Sequence, residues 1–244
     1  MRTHGSTRPD LDDARVIIIG VGGLGSPAAI ALADAGVGTI GLLDPDRVDP
    51  SNLHRQPLYG DGDVGRLKVE AAAEHLRSRH PRLRIEAGAV RFHAASAALL
   101  ADFDLVVDGT DSVAAKFDVN DAAVAARIPL CHAGAIGWQA QLLSVLPGTT
   151  ACYRCLFEEP PPPDEVPSCQ AAGVLGPAVV LAGSLQAAEA VRLLSGMSPL
   201  FADRLLVIDT RTGSWRRIAV TRRPGCPACG SLHQYPLTQR SIAR

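Results

Sequence analysis

Two Cys-x-x-Cys pairs, Cys152-Tyr-Arg-Cys155 and Cys226-Pro-Ala-Cys229, are separated by 70 residues of sequence. Four thiolates in two close pairs suit one tetrahedral zinc ion. Gly225 and Pro227 supply the tight knuckle that turns the second pair of sulfurs inward. A closed four-cysteine site of this kind is structural, so it is expected to hold the C-terminal part of the chain and not to react. A different chemistry starts near the N-terminus. Gly20-Val-Gly-Gly-Leu-Gly25 follows the apolar run Val16-Ile-Ile-Ile19 directly. Glycines between a strand and a helix let backbone N–H groups approach a phosphate closely. Asp44 lies 19 residues beyond Gly25, at the end of the next apolar run, where an acid accepts hydrogen bonds from ribose hydroxyls. The loop alone suits NAD as well as ATP.

Ser51-Asn-Leu-His-Arg-Gln56 follows, with Lys68 beyond it. Asn52, Arg55 and Lys68 are groups that touch phosphates, and a guanidinium with an ammonium can neutralise charge on a triphosphate. The bland alternative is a solvated polar loop. Asp108-Gly-Thr-Asp111 closes another apolar run. A carboxylate at the carboxyl end of a parallel strand can hold Mg²⁺ against phosphate oxygens, or Asp111 can simply cap the next helix. Cys131 sits in an apolar run and reads as core. Cys169 precedes a helix, where a thiol can act as a nucleophile or stay inert. The histidines show no metal-ligand spacing.

These groups need a frame. Strands are expected at residues 15–19, 39–43, 83–87, 104–108 and 129–133, alternating with helices at 24–35, 65–80 and 113–127. That alternation predicts an α/β fold with a doubly wound, mostly parallel, Rossmann-like sheet. Beyond residue 140 the pattern changes to strands at 141–146, 205–209 and 215–220 around a long helix at 176–194, which extends the sheet with antiparallel strands. Residues 158–165, rich in proline, read as an exposed loop.

The chain has 244 residues, 47% of them hydrophobic, and a formal net charge of −1. A full core can therefore be buried, and there is no electrostatic footprint for nucleic acid. The first ten residues carry no apolar segment of the signal-peptide type. The longest apolar stretch, residues 174–185, is too short to span a membrane. Close cysteine pairs without a secretion signal favour a reducing, cytoplasmic setting.

Taken in order, these motifs resemble one family, the ubiquitin-activating-enzyme-like adenylyltransferases of the MoeB/ThiF/HesA group. The likeness runs over residues 14–230 and includes Ala35-Gly-Val-Gly38, Leu42-Leu-Asp-Pro-Asp46, Val64-Gly-Arg-Leu-Lys-Val-Glu70, Gly183-Ser-Leu-Gln-Ala-Ala-Glu189 and Pro224-Gly-Cys-Pro-Ala-Cys-Gly230 in addition to the stretches above. It implies ATP-dependent adenylylation of the C-terminal glycine of a ubiquitin-like sulfur-carrier protein ending in Gly-Gly, with release of pyrophosphate. It also implies that Gly22, Gly23, Asp44 and Asp46 hold the nucleotide, with Asp44 on the ribose. Ser51, Asn52, Arg55 and Lys68 would line the phosphates. Asp111, with Ser112 beside it, would be the essential acid acting through Mg²⁺, and the four paired cysteines would hold structural Zn²⁺. Cys169 matches a position used in sulfur transfer by some relatives. Family members are homodimers. On this likeness residues 15–230 form a single adenylation domain, with a nucleotide half at about 15–135 and a carrier and zinc half at about 136–230. Residues 1–14 are a lead-in and 231–244 a tail. Residues 1–14 lack the family's Arg-Tyr-x-Arg-Gln segment, Ser112 stands where asparagine is common, and with no rhodanese-like extension the sulfur donor is expected to be a separate protein. Competing readings are adenylation of a ribosomal peptide or a modified tRNA base, an NAD-dependent oxidoreductase, and a degenerate partner subunit.

Overall fold

The computed structural model describes residues 10–162 and 173–232. Five strands run parallel: β1 (Arg15–Ile19), β2 (Thr39–Leu43), β3 (Arg84–Gly88), β4 (Leu105–Asp108) and β5 (Leu130–Ile136). Three more, β6 (Gln139–Val145), β7 (Arg204–Asp209) and β8 (Ser214–Ala219), add to β5 in antiparallel succession. The sheet order is β3-β2-β1-β4-β5-β6-β7-β8. The parallel half followed by antiparallel strands agrees with the expectation from sequence.

The helices are α1 (Gly25–Ala35), α2 (Lys68–Arg79), α3 (Val113–Ala126), α4 (Tyr153–Leu156) and α5 (Gly176–Leu194). β1 shows why they must cover both faces. Its side chains alternate, so Val16 and Ile18 pack with residues of α1 and α2, while Ile17 and Ile19 pack with residues of α3. Ile17, Ile18 and Ile19 are almost fully buried, and each contributes about 1.5–3 kcal/mol by leaving water. α5 is apolar and long enough by composition to cross a membrane. Its buried residues include Gly176, Ala178, Val179, Ala182, Gly183, Ala187 and Ala190, and it packs against α1 and the sheet as a core helix.

Three local features refine the sequence reading, each for a physical reason. Residues 51–56, for which a solvated polar loop was the bland alternative, belong largely to a 3₁₀ helix, Pro50–Arg55. Asp49 accepts the Ser51 N–H and so caps it, and Pro50 starts it without needing a donor. The helix expected from residue 65 starts only at Lys68, because Gly65 takes a left-handed φ of 85°. Ser112, not Asp111, caps α3, accepting the Ala115 N–H. Asp111 is thereby left for other work.

Candidate active site

β1 pairs with β2 on one side and β4 on the other, so the chain reverses its winding direction between β1 and β4. The crevice beyond the carboxyl ends of those strands is where open α/β sheets bind ligands. Here it opens into a cleft of about 730 Å³. The glycine loop lines it beside β1. Gly20, with φ of 84°, follows β1 and donates its N–H to Leu43 O at 2.7 Å. A Cβ on Gly25 would lie 1.9 Å from Gly20 O, so only glycine permits this turn into α1. No side chain caps α1, and Gly22 and Gly23 at its start line the cleft.

Asp44 sits at the end of β2, 4% exposed. Its two carboxylate oxygens accept the Val21 N–H at 2.7 Å and the Asp46 N–H at 2.8 Å. Burial pushes its pKa above the ordinary carboxylate value, against the pull of Lys68 and those two N–H groups. Lys68, at the start of α2, is itself buried; its Nζ lies 3.0 Å from Asp46 Oδ2 and 4.0 Å from Asp44 Oδ1. The 3₁₀ helix brings Arg55 to the same wall. Its guanidinium donates to Ser51 O at 3.1 Å and to Asn52 Oδ1 at 2.9 Å, and Asn52 Oδ1 also accepts from Gln56 at 2.9 Å. Among the described residues no carboxylate pairs with Arg55. The Ser51 hydroxyl donates to Asp49 Oδ1 at 2.6 Å.

The opposite wall starts at Asp108, the last residue of β4, which is fully buried. Its Oδ1 accepts the Thr110 N–H at 2.9 Å and the Thr110 hydroxyl at 2.6 Å. Its Oδ2 accepts from His132 Nδ1 at 2.7 Å and from Lys116 Nζ at 3.4 Å. Burial alone would raise the Asp108 pKa, but the charge of Lys116 and the hydrogen bond from His132 outweigh burial and hold it well below the usual range. Burial and the nearby Lys116 push His132 down, so it is a neutral imidazole donating to an ionised carboxylate. The turn that Asp108 clasps carries Asp111 and Ser112, both exposed and both lining the cleft.

Gly22, Gly23, Asp44, Asp46, Ser51, Asn52, Arg55, Lys68, Asp111 and Ser112 therefore all face one cleft. Cys169 falls outside the described residues.

The four paired cysteines meet in the core layer that also holds Phe117 and Val119 of α3. Their sulfurs lie within 4.8 Å of one another and none forms a disulfide. Closest approaches are 3.4 Å for Cys155–Cys229, 3.6 Å for Cys152–Cys226 and 3.9 Å for Cys152–Cys155. A tetrahedron with a metal–sulfur distance of about 2.3 Å has edges of about 3.8 Å. The donor set thus fits a metal ion. Burial pushes the Cys226 thiol up, but the N–H groups of Cys229 and Ala228 more than offset it and bring it to about 7, so one ligand already tends to the thiolate. Cys131 is buried in the sheet, and burial pushes its thiol well above the ordinary value, as expected for an inert core residue.

The ThiF family matches residues 3–228 of this sequence. The chain belongs to the ThiF family. It is 43% identical over 226 residues to the sulfur carrier protein adenylyltransferase of Thermus thermophilus, covering 90% of this chain and 83% of that one. It is 40% identical over 227 residues to the sulfur carrier protein ThiS adenylyltransferase of Escherichia coli, covering 92% and 89%. Against the probable adenylyltransferase/sulfurtransferase MoeZ of Mycobacterium tuberculosis it is 40% identical over 231 residues, spanning 92% of this chain but only 59% of that protein. Among solved structures, E. coli MccB with ATP aligns with a TM-score of 0.79 at 26% identity, over 90% of this chain and 68% of that one.

Sequence reasoning missed Lys116 and Tyr153, which line this ThiF-family cleft, and His132, which is buried behind Asp108. Lys116 and Asn120 lie four residues apart on the buried face of α3, beside Phe117 and Val119. Buried polar residues at helical spacing are a readable signal, because each must find a partner. Lys116 finds Thr110 O and Ala133 O, both at 2.7 Å, and Asn120 accepts the Tyr153 N–H at 2.9 Å. His132 is one imidazole inside an apolar strand, and nothing local to it points to Asp108, 24 residues away.

Proposed function

We propose that this chain uses ATP to adenylylate the C-terminal glycine carboxylate of a small ubiquitin-like sulfur-carrier protein. A carboxylate oxygen of the carrier tail forms a bond to the α-phosphorus, the bond from that phosphorus to the oxygen bridging to the β-phosphate breaks, and pyrophosphate leaves. The nucleophile is already ionised at neutral pH, so no general base is needed. What the site must supply is alignment and charge neutralisation.

The residues suit those tasks. Gly22 and Gly23 let the phosphates approach the uncapped start of α1. Asp44 accepts one N–H on each carboxylate oxygen and keeps lone pairs for the ribose hydroxyls, while Asp46 braces Lys68. Lys68, Arg55, Ser51 and Asn52 face the triphosphate. Asp111, exposed in the cleft with Ser112 beside it, suits a Mg²⁺ ion, which when bound would offset phosphate charge. Gln139, Gln141, Val174 and Val207 continue the cleft along the antiparallel strands, a path suited to an extended peptide tail. The four-cysteine cluster is assigned to structural Zn²⁺. The division into a nucleotide half at 15–135 and a carrier half at 136–230 belongs to the same reading, as do a sulfur-transfer role for Cys169, a separate sulfur donor, a homodimer and a cytoplasmic location.

The observation that carries this reading is the convergence of Asp44, Arg55, Lys68 and Asp111 on one cleft at the β1–β4 switch point. The Thermus thermophilus and Escherichia coli relatives, at 43% and 40% identity, are sulfur carrier protein adenylyltransferases, and they support a carrier as the substrate. Enzyme, ATP, Mg²⁺ and a Gly-Gly-ended carrier should release pyrophosphate, and a carrier lacking its last glycine should not support release. Silence with every such carrier would end the reading. ATP binding tests the loop. Gly25→Ala is expected to weaken ATP binding about tenfold or more, since its Cβ cannot coexist with Gly20 O. Unchanged affinity by equilibrium dialysis would show that the turn tolerates the methyl group.

A further inference from the structure

We propose that His132 is a positioning residue for adenylylation, acting through Asp108 to hold the turn that presents Asp111. The inference rests on the functional reading above and adds a residue to it. His132 is 1% exposed, so it does not meet substrate. Its Nδ1–H donates to Asp108 Oδ2 at 2.7 Å. Its Nε2 is buried and has no hydrogen-bond partner among the described residues. The ring packs against Tyr153, with centroids 4.4 Å apart. A neutral imidazole with one nitrogen unsatisfied is a costly way to fill a strand position that an aliphatic side chain would fill without loss. The donor to Asp108 is the one thing such a side chain would not provide.

That donor matters because of what Asp108 holds. With Oδ2 fixed by His132 and Lys116, Oδ1 is aimed at the backbone N–H and hydroxyl of Thr110. Lys116 also donates to Thr110 O at 2.7 Å. Thr110 is therefore gripped at its N–H, its hydroxyl and its carbonyl, one residue before Asp111. The turn also abuts the glycine loop, where a Cβ on Gly109 would lie 2.3 Å from Gly20 O. Losing the His132 hydrogen bond leaves Oδ2 with only the longer contact to Lys116, and a shift of the loosened carboxylate carries the Thr110–Asp111 segment with it. A small misplacement of a group that acts on the transition state costs rate more than it costs ground-state binding.

Three substitutions test this. His132→Leu keeps the volume and removes the donor. His132→Gln puts its amide near the position of Nε2, so position 132 no longer donates to Asp108, which keeps its bonds from Thr110 and Lys116. His132→Asn puts its amide near the position of Nδ1 and keeps the donor. Pyrophosphate release by the full-length chain with a Gly-Gly carrier, and ATP binding by equilibrium dialysis, are measured for each. We expect kcat to fall about tenfold or more in the Leu and Gln variants. KM for ATP should stay within about threefold, and the Asn variant should recover most of the rate. If the Leu variant does not fold, shown by loss of ATP binding, the Gln variant decides. Wild-type kcat in the Gln variant, equal losses in Gln and Asn, or a loss confined to KM would overturn the proposal. A wild-type enzyme that binds ATP but releases no pyrophosphate with any carrier would sink the functional reading, and this inference with it. A wild type that does release pyrophosphate, with variants that do so equally well, sinks the inference alone.

Discussion

Replacing Lys68 with methionine is expected to lower the rate of pyrophosphate release about 10²–10³-fold, equivalent to about 2.7–4 kcal/mol of transition-state stabilisation. The site explains the size. Lys68 is 6% exposed, so its charge acts where water screens it weakly. It is also held in place before substrate arrives, by Asp46 at 3.0 Å and by the carboxylate of Asp44 at 4.0 Å. A cation fixed in advance needs no reorganisation when charge gathers on the leaving pyrophosphate. Arg55 is the second cation, and with no acidic partner among the described residues its charge is available to phosphate. The loss should stop short of abolishing catalysis, because Arg55 and the glycine loop remain. Methionine keeps most of the length of the stem, so α2 should still begin at the same residue, and Asp44 keeps its two N–H donors. Melting temperature and ATP affinity, measured beside the rate, separate a catalytic loss from a folding one. A Lys68→Met enzyme within about threefold of wild-type kcat would exclude Lys68 from the phosphate-transfer step.

How far the sequence already contained this site depends on whether a residue's role is local. Gly20 to Gly25 and Asp44 were legible because strand, turn and helix constrain them within about 25 residues, and each has a position set by the winding of the sheet. The cysteine pairs were legible because two ligands three residues apart come from one turn of chain, although the contact between pairs spans 74 residues. Asp111 was legible as an acid at a strand end, but its alternative role as a helix cap could not be dismissed until Ser112 was seen to cap α3. The Asp108–Lys116–His132 cluster was not legible. Its partners come from β4, α3 and β5: Asp108 closes an apolar run, His132 lies inside one, and Lys116 signals by its spacing from Asn120 only that it needs a buried partner, not which one. Only packing decides that they meet. The same holds for Tyr153, which lies between two of the clustered cysteines in sequence and reaches the cleft wall in space.

Removing the metal from the four-cysteine cluster is the other change expected to be large, on the order of 5 kcal/mol of stability for a structural site of this kind. The cluster joins α4 to the segment beyond β8. That segment has few other ties. Among the described residues β8 is an edge strand paired only with β7, and residues 214–219 are mostly exposed. Beyond it, Arg222 donates to Cys229 O at 2.6 Å, and Arg223 donates to Arg154 O at 2.9 Å and forms an ion pair with Glu158. These bonds converge on the cluster and depend on its geometry. Without the ion, the four cysteines are small side chains packed among Tyr153, Val220 and Leu205, so the core need not collapse. Unfolding should therefore begin at the C-terminal end while β1 to β5 persist. Cys229→Ser, or wild-type protein with a strong chelator, should melt well below the loaded wild type. Hydrogen exchange should quicken first over residues 214–232, and only later over β1 and β4. Because protons compete with the metal for thiolate, the chelator should act faster as pH falls. Tyr153 links this loss to the cleft, since its ring contacts His132 at 4.4 Å and Phe117 at 5.0 Å. ATP affinity should thus weaken in the stripped protein before the nucleotide-binding strands open. A chelated protein with an unchanged melting temperature would mean that packing alone holds this end of the sheet, and that the cysteines are not ligands.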